Sequence, residues 1–345
     1  MTEPKASILV TGGAGFIGSN FVCYFLEHYP TYYLVNLDKL TYAGNPDNLR
    51  EISGNPNHTF IKGDICDQEL VNDLFKKYDI RGVIHFAAES HVDNSILNPF
   101  EFIQTNVVGT LNLLNAAKTH WMIKPHLYKE SYQECRFHHI STDEVYGQLG
   151  PTGAFKETDP YAPNSPYSAS KASSDFLVRS YAHTYGLNTV MSNCSNNYGP
   201  KQHDEKLIPT IIRKALSQQN IPIYGKGTNV RDWLYVEDHV EAIIKIYHCG
   251  KNGENYNVGA NCEQTNLDVA YLICNILDAL KPLEKGSYKE LITFVEDRPG
   301  HDFRYAIDAT KISKDLNWSA KGKFEESLRK TIVWYLDKYS SEGKI

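Results

Sequence analysis

A tyrosine and a lysine four residues apart are candidates for acid–base chemistry. Tyr167 and Lys171 would share one face of a helix if the segment that contains them is helical. Because a nearby cation stabilises a phenolate, we expect Lys171 to lower the pKa of Tyr167, so that the phenol accepts a proton from a hydroxyl near neutral pH. Taken alone, the spacing also fits a solvated helix face. Three prolines in residues 160–166 predict a stiff approach to the helix.

Two adjacent carboxyl groups follow an apolar run at residues 137–140. The run predicts a buried strand, and Thr142, Asp143 and Glu144 come just after it, at the edge where open α/β sheets bind ligands. Different surroundings can keep one such carboxyl group protonated and the other ionised. An acid in this position can also cap the next turn. Three consecutive polar residues at the ligand-binding edge favour a functional role.

A glycine-rich turn predicts a dinucleotide site. Residues 8–18 read as a strand, a turn and the start of a helix, with Gly12, Gly15 and Gly18 in the turn. Glycine lets the backbone turn tightly, approach a pyrophosphate and pack against the sheet. Asp38 ends the next predicted strand, where a carboxylate accepts hydrogen bonds from ribose hydroxyls and repels the extra phosphate of NADP. We therefore expect NAD as the cofactor.

Short apolar runs alternate with segments of helical spacing, which predicts an α/β fold with a doubly wound parallel sheet of the Rossmann type. The predicted strands are residues 7–11, 33–38, 60–64, 83–87, 137–142 and 189–192. Helical spacing appears in residues 17–26 and 102–114. Asp64 ends the third strand, where it either lies near the adenine or caps a helix over residues 68–75.

Proline and glycine become frequent after about residue 195, and this change predicts a second, smaller lobe. We assign residues 1–194 to an NAD-binding domain, with a return to it around residues 228–250. Residues 195–345 would form mainly a substrate-binding lobe, with helices around residues 266–280 and 324–338.

Charge and cysteine usage exclude several classes of protein. The formal net charge of −6 provides no basic field for nucleic acid. No segment reads as a secretory leader or a membrane span, so we expect a cytoplasmic protein without a membrane partner. The 7 cysteines are scattered without a C-x-x-C pair, so we expect reduced thiols and no metal site.

Taken together, these motifs give the sequence a specific resemblance. It resembles the dTDP-glucose 4,6-dehydratases of the extended short-chain dehydrogenase/reductase family over nearly its whole length. The glycine motif and the Tyr167–Lys171 pair belong to the whole family, whereas adjacent acids after Thr142 mark the 4,6-dehydratases. The matching segments are residues 11–18, 37–45, 87–93, 141–147, 167–171, 195–200, 231–238 and 297–301.

The resemblance implies a mechanism in which the cofactor is regenerated. Tyr167 would take the proton of the glucose C4 hydroxyl while the C4 hydride passes to NAD+, with Thr142 hydrogen-bonded near the C4 oxygen. The resulting 4-keto group makes the C5 proton acidic. Glu144 would remove that proton, and a protonated Asp143 would donate to the departing C6 hydroxyl. The hydride would then return to C6.

The resemblance also implies two sets of binding residues and a homodimer with a helix bundle formed by residues 101–118 and the Tyr167 helix. The cofactor set is Gly12, Gly15, Phe16, Ile17, Gly18, Asp38, Asp64, Ile65, Ala87, Tyr167 and Lys171. The set for the nucleotide sugar is Ser90, Asn197, Lys206, Leu207, Tyr224, Arg231, Asn266, Arg298 and His301.

Three departures from the family pattern and three alternative functions accompany the resemblance. Residues 201–204 differ from the usual loop on the base side, and Asn94 and Phe303 stand where arginines are common. A UDP-glucose 4,6-dehydratase, a nucleotide-sugar 4-epimerase and an inactive nucleotide-binding scaffold are the alternatives. Adjacent acids after Thr142 argue against an epimerase, and an intact Tyr167–Lys171 pair argues against a scaffold.

Overall fold

The computed structural model describes residues 6–297 and 302–343. Its strands are β1 (Ala6–Thr11), β2 (Tyr32–Asp38), β3 (His58–Lys62), β4 (Ile80–His85), β5 (Met122–Lys124), β6 (Leu127–Tyr128), β7 (Arg136–Thr142), β8 (Thr189–Cys194), β9 (Asn196–Tyr198), β10 (Ile221–Tyr224), β11 (Val230–Tyr235), β12 (Asn255–Val258), β13 (Glu263–Thr265) and β14 (Ile292–Val295).

The helices begin after the glycine turn and continue to the end of the described chain. They are α1 (Phe16–His28), α2 (Gln68–Lys77), α3 (Val92–Leu97), α4 (Pro99–Phe102), α5 (Thr110–Trp121), α6 (Pro166–Tyr185), α7 (Leu207–Leu216), α8 (Val236–Cys249), α9 (Asn266–Leu280), α10 (Thr310–Leu316) and α11 (Phe324–Ser341). None of them, within the described residues, is long and apolar enough to cross a membrane.

A seven-stranded sheet forms the centre of the molecule, in the order β12-β8-β7-β4-β1-β2-β3. All its neighbouring strands are parallel, because helices supply the crossovers. One face packs on α1 and α8 through residues such as Phe25 and Ile243. The other face packs on α2, α5 and α6 through residues such as Leu74, Leu113 and Val178. The predicted doubly wound fold is confirmed.

Two predicted strands are too long at their carboxyl ends. β3 ends at Lys62 and β4 at His85, two residues before the predicted ends at 64 and 87. After β4 the apolar pattern continues through Phe86 and Ala87, which line a cleft beyond the sheet edge. After β3 the two extra residues are Gly63 and Asp64, which line the same cleft without continuing an apolar pattern. At β4 the apolar pattern therefore reports burial and not strand pairing alone.

A second hydrophobic core lies in the C-terminal part of the chain. It contains Ile211 of α7, Ile273 of α9 and Ile332 of α11, together with residues of β10 and β11. The short β10-β14 and β13-β11-β9 sheets belong to this part of the chain. Residues 228–250, which we expected to return to the NAD-binding domain, contain α8. Strand β12 lies beyond residue 250 and joins the main sheet beside β8.

A π-helix, Ile103–Gly109, connects α4 to α5. The predicted helix over residues 102–114 is confirmed, although this stretch has wider turns than an α-helix. Within it, buried Asn106 accepts from the Glu89 backbone N–H at 2.8 Å and donates to the Glu89 carbonyl at 3.0 Å. Its amide also donates to Ser170 Oγ on α6 at 2.8 Å. Through the hydrogen bonds of Asn106, the π-helix therefore connects the loop after β4 to α6.

Candidate active site

The glycine turn brings the backbone close to the end of β4. Gly12 has a φ of +74°, and a Cβ at this position would lie 2.6 Å from the Ala87 backbone nitrogen. A Cβ at Gly18 would lie 2.3 Å from the Gly12 carbonyl oxygen. Helix α1 begins at Phe16 without a side-chain cap, and the N-terminus of such a helix is suited to a phosphate.

Asp38 lies at the end of β2, beside the glycine turn. One of its carboxylate oxygens accepts from Ala14 N–H at 2.9 Å, and the other accepts from Leu40 N–H at 2.8 Å. These bonds orient the carboxylate, and each oxygen keeps capacity for another donor. The arrangement suits a ribose that offers two hydroxyl groups.

Asp64 is paired with a lysine and does not cap a helix. Its carboxylate lies 2.9 Å from Lys39 Nζ and accepts from Cys66 N–H at 2.9 Å. Burial raises the pKa of Asp64, but the bonds from Cys66 and Lys39 bring it below its usual value. Asp67 caps α2 by accepting from Leu70 N–H, so the capping alternative for Asp64 is wrong.

A cleft with a volume of about 310 Å³ opens at the carboxyl ends of the central strands. This volume lies within the range of about 300–1,000 Å³ that is typical of ligand sites. The predicted cofactor and catalytic residues that line it are Gly12, Gly15, Phe16, Ile17, Gly18, Asp38, Asp64, Ile65, Ala87, Thr142, Asp143, Glu144, Tyr167 and Lys171.

The adjacent acids lie in a short turn after β7. Thr142, and neither acid, caps this turn by accepting from the Glu144 backbone N–H at 3.3 Å, so the capping alternative for the acids is wrong. Asp143 is buried, and its Oδ2 has no hydrogen-bond partner among the described residues. Burial and the charges of Glu144 and Asp232 raise the pKa of Asp143 well above its usual value. Burial and the neighbouring negative charges therefore favour the protonated form of Asp143.

Tyr167 and Lys171 lie on α6, which starts with a capping box formed by Ser165 and Ser168. Lys171 Nζ donates to the Ile140 carbonyl at 2.8 Å. Burial, followed by the charge of nearby Glu144, raises the pKa of Tyr167, whereas burial lowers that of Lys171.

The raised pKa of Tyr167 and the lowered pKa of Lys171 oppose the predicted stabilisation of the Tyr167 phenolate by the Lys171 ammonium. An amine that has lost its proton cannot stabilise a phenolate. In the structure, the hydroxyl of Thr142 lowers the pKa of Tyr167. The predicted lowering of the Tyr167 pKa by Lys171 therefore requires that Lys171 keep its charge.

Three residues predicted to bind the nucleotide sugar line the same cleft. They are Ser90, Asn197 and Lys206. Lys206 Nζ donates to the Ser90 carbonyl at 3.2 Å and lies 3.7 Å from the carboxylate of Glu205. Asn197 Oδ1 lies 2.8 Å from His239 Nδ1. A cation and an amide group are thus placed at the cleft wall, as binding of a diphosphate requires.

The remaining predicted substrate residues lie outside the described lining of the cleft. Leu207 packs against the second core, and Tyr224 is exposed at the end of β10. Asn266 starts α9, directly after Thr265, whose partner in the β11–β13 ladder is Val230. The predicted residues Arg298 and His301 lie outside the described residues.

Arg231 connects this outer group to the catalytic acids. Its guanidinium donates to the carbonyls of Val230 at 2.8 Å and Asp302 at 2.9 Å. It also lies 4.5 Å from the ring centroid of Tyr305. Its charge lowers the pKa of Asp143, although burial and the neighbouring acids prevail. Arg231 is therefore close enough to influence the cleft electrostatically.

Several residues that line the cleft were not predicted as site residues. They include Glu89, Thr105, Cys194, Asn196 and Glu205. Glu89 lies inside the motif at 87–93, so its position in the sequence provided a signal. Thr105 reaches the cleft from the π-helix, whose wider turn is not visible in a helical hydrophobic pattern.

Comparison with known proteins gives a consistent result. The family model described as GDP-mannose 4,6 dehydratase matches residues 9–331. The chain is 53% identical over 340 residues to a dTDP-glucose 4,6-dehydratase of Neisseria gonorrhoeae, covering 97% of each. A dTDP-glucose 4,6-dehydratase from Bacillus anthracis, solved in complex with NAD, superposes with a TM-score of 0.84 at 44% identity, covering 97% and 98% of the two chains. The Streptomyces venezuelae enzyme of the same name, also with NAD bound, gives 0.87 at 40% identity, covering 97% and 98%.

Proposed function

The chain belongs to the NAD-dependent nucleotide-sugar 4,6-dehydratases of the extended short-chain dehydrogenase/reductase family, and we propose that it converts dTDP-glucose into dTDP-4-keto-6-deoxyglucose. The observation that most supports this proposal is buried Asp143, whose pKa is raised, next to Glu144 and in one cleft with Tyr167. An epimerase that only oxidises and reduces C4 has no use for such a pair of acids.

NAD supplies the acceptor for the C4 hydride and the donor of the same hydride to C6. The residues suited to hold it are the glycine turn with Asp38, and Asp64, Ile65 and Ala87 along the cleft wall. The close approach of Gly12 to Ala87 leaves no room for a side chain. This fit supports a dinucleotide lying against the turn.

Tyr167 is the proposed base for the C4 hydroxyl. It lies on a helix next to the cofactor wall, and the hydroxyl of Thr142 lowers its pKa. Loss of the C4 proton and the C4 hydride leaves a 4-keto group, which makes the C5 proton acidic. Lys171, on the same face of α6, provides the positive charge that favours the phenolate when it is protonated.

The two acids have separate proposed tasks in the loss of water. Glu144 accepts the C5 proton, which forms the C5–C6 double bond as the C6 hydroxyl departs. Asp143 donates its proton to that hydroxyl, so water leaves, and Glu144 would return a proton to C5 when the hydride is delivered to C6. Opposite roles for adjacent carboxyl groups require different protonation states, and the raised pKa of Asp143 supports this division.

The nucleotide diphosphate is proposed to lie towards the C-terminal lobe. Lys206 and Arg231 are the described cations with suitable positions, one on the cleft wall and one beside the acids. The rest of the proposed set comprises Ser90, Asn197, Leu207, Tyr224, Asn266, Arg298 and His301. Binding of the sugar between this lobe and the NAD-binding part would leave C4 to C6 near Tyr167 and the acids.

Incubation with dTDP-glucose and with UDP-glucose, in separate reactions, tests the reaction and the choice of base. Mass spectrometry should find a product lighter by one water molecule with dTDP-glucose. Glu144→Gln should suppress exchange of the C5 proton with solvent deuterium. A product of unchanged mass would contradict dehydration and point to epimerisation, and equal turnover of both substrates would contradict the preference for thymidine.

Substrate deuterated at C4 tests whether the hydride returns within one active site. The label should appear in the C6 methyl group of the product, and NADH should not accumulate, because a confined intermediate receives the hydride faster than it escapes. Label on released NADH would instead identify a simple dehydrogenase.

A homodimer is the proposed assembly. Apolar side chains on α3, α4, the π-helix and α6 are exposed, with Leu97 84% and Phe100 71% exposed, and such a patch is typical of an interface. Light scattering should give twice the mass of the chain, and Leu97→Glu with Phe100→Glu should give the monomer. Ile123→Glu, at an exposed position on β5, is the control that should leave the dimer intact.

The proposed compartment is the cytoplasm. All cysteines are free thiols, and a reducing compartment keeps thiols in this state. Fractionation of the source cells with an antibody against the protein should recover it with cytoplasmic markers, and recovery with exported proteins would contradict the proposal.

A further inference from the structure

Lys171 and Asp175 lie one helical turn apart in the interior of the protein. They are only 4% and 1% exposed. The Lys171 ammonium has a neutral partner in the Ile140 carbonyl, which cannot balance its charge. A buried ammonium without a nearby anion tends to lose its proton. The charge of Lys171 therefore depends on its surroundings.

Asp175 is held in place by side chains from three other parts of the chain. Its Oδ2 accepts from Ser141 Oγ at 2.8 Å, Tyr161 OH at 3.0 Å and Asn193 Nδ2 at 3.4 Å. Its Oδ1 lies 3.2 Å from His139 Nε2. Oδ1 has no hydrogen-bond partner among the described residues, so the three bonds to Oδ2 are the ones that favour the ionised carboxylate and fix its position.

We propose that Asp175 is a positioning residue whose negative charge keeps Lys171 protonated near Tyr167, and that it thereby sets the pH range of C4 oxidation. This inference rests on the proposed function, in which Tyr167 is the base and charged Lys171 favours its phenolate. Asp175 does not line the cleft among the described residues. Its effect on the reaction is therefore exerted through Lys171.

Two acidic groups raise the pKa of Lys171 when they are ionised, and only one of them is ionised at neutral pH. They are Asp175 and Cys194. Burial raises the pKa of the Cys194 thiol to about 12, so that group is neutral. Burial also raises the pKa of Asp175 to about 6, with Lys171 and the three donors opposing the shift. Above that pH, Asp175 is the anion that raises the pKa of Lys171.

The other titratable groups around this pair are neutral. Burial lowers the pKa of His139 and of His85 well below the usual value, and the charge of Lys171 lowers both further. Burial raises the pKa of Tyr161 and Tyr146 far above that of a free phenol, and the charge of Asp175 raises both further. None of these four side chains can take over the negative charge of Asp175.

Asp175→Asn removes the charge while keeping the shape of the side chain. Without the anion, the pKa of Lys171 falls, the phenolate loses a stabilising charge, and the pKa of Tyr167 rises. The acid limb of the pH profile for C4 oxidation, measured as NADH formed in a single turnover, should move up by about 1–3 pH units. At neutral pH the rate should fall about tenfold for each unit. An unchanged midpoint would overturn the inference.

Glu157→Gln is the matched control. Glu157 is a half-buried carboxylate that accepts from the Asn257 backbone N–H at 2.9 Å, and its charge is not among those that act on Lys171. Its replacement should leave the midpoint in place. A shift equal to that of Asp175→Asn would show a general effect of lost carboxylates and would also overturn the inference.

Lys171→Met separates this inference from the proposed function. If Lys171→Met leaves the rate and midpoint of C4 oxidation unchanged, the proposed role of Lys171 is wrong. If Lys171→Met shifts the midpoint and Asp175→Asn does not, only the inference about Asp175 is wrong.

Tyr161→Phe decides the question if Asp175→Asn does not fold. This change removes one donor to Asp175 without changing the charge, so the pKa of Asp175 should rise. Asp175 is then neutral over a wider range of acidic pH, so Lys171 lacks a nearby anion over that range. The pH midpoint of C4 oxidation should move up by less than in Asp175→Asn. A folded Tyr161→Phe protein with an unchanged midpoint would contradict the inference.

Discussion

The floor of the cleft is built on buried, regular elements, whereas its mouth is built on loops. The floor comprises Thr142, Asp143, Tyr167 and Lys171, all buried at the end of β7 or on α6. Charges there act through little solvent, so burial shifts the pKa values of Asp143 and Tyr167 strongly.

The mouth comprises His91, His203, Glu205 and Lys206, which come together from two parts of the chain. His91 and His203 lie 3.7 Å and 3.6 Å from the same carboxylate oxygen of Glu205, and the ring of His203 meets the ring of Tyr42 edge-on. These side chains are partly exposed, and water screens their charges. Single substitutions should therefore have larger effects on the floor than at the mouth.

The largest effect should come from Asp143→Asn, which removes the proton donor from the floor. Product formation should fall about 10²–10⁴-fold, while C4 oxidation still produces NADH that can be seen by absorbance. Asp159→Asn, in the approach to α6, should leave turnover unchanged. If Asp143→Asn kept full turnover, Asp143 would not be the proton donor for the loss of water.

Gly18→Ala should have the next largest effect, because it changes the backbone that receives the cofactor. Its new Cβ would lie 2.3 Å from the Gly12 carbonyl oxygen, so the turn must shift. We expect NAD binding, measured by calorimetry, to weaken by at least about 30-fold, corresponding to about 2 kcal/mol. Gly150→Ala is the control, since its Cβ would meet nothing within 4 Å. Equal affinity in both variants would show that the turn tolerates a side chain.

Asp38→Ala should weaken NAD binding by about tenfold, since charged hydrogen bonds to the ribose contribute about 1.5–3 kcal/mol and water replaces part of them. The backbone N–H groups of Ala14 and Leu40 also lose their acceptor. The preference for NAD over NADP should decrease in the same titrations. If the unaltered protein bound NADP more tightly than NAD, the assignment of Asp38 to the ribose would be wrong.

The smallest effect should come from His203→Phe at the mouth. The contact of His203 with Glu205 is partly exposed, and even exposed ion pairs contribute only about 0–1 kcal/mol. The KM for dTDP-glucose should change by less than about fivefold, with kcat unchanged. The ratio of the KM values for dTDP-glucose and UDP-glucose in this variant shows whether the loop at residues 201–204 distinguishes thymine from uracil. A change as large as that of Asp143→Asn would remove the distinction between mouth and floor.

The floor was easier to predict from sequence than the mouth, for a physical reason. Strand ends and helix faces have fixed periodicities, so Asp143 and Tyr167 could be placed relative to their neighbours. The position of Asp175 one turn after Lys171 was also readable, but its burial and its donors from β7, β8 and the approach loop depend on tertiary packing. No local pattern reports such contacts.

The mouth depends on distances between loops, and sequence spacing does not contain them. The contact of Lys206 with the Ser90 carbonyl joins segments more than a hundred residues apart, so only the family resemblance suggested that they are neighbours. The end of β4 was misjudged because the wall of the cleft continues its apolar pattern, and β3 was extended into Gly63 and Asp64, which line the cleft beyond the strand. The form of the helix at Ile103–Gly109 could not be predicted, since one wide turn hardly alters a hydrophobic period.

That π-helix makes the side chains within it, more than the helices that flank it, depend on the length of the segment. A π-turn contains about one residue more than an α-turn, so removing one residue would convert the wide turn into an α-turn with little rotation of the flanks. Within the converted turn, Asn106 would turn away from Glu89 and Ser170. A deletion of one residue should therefore destabilise the protein more here than near Gly153, where the surroundings are open.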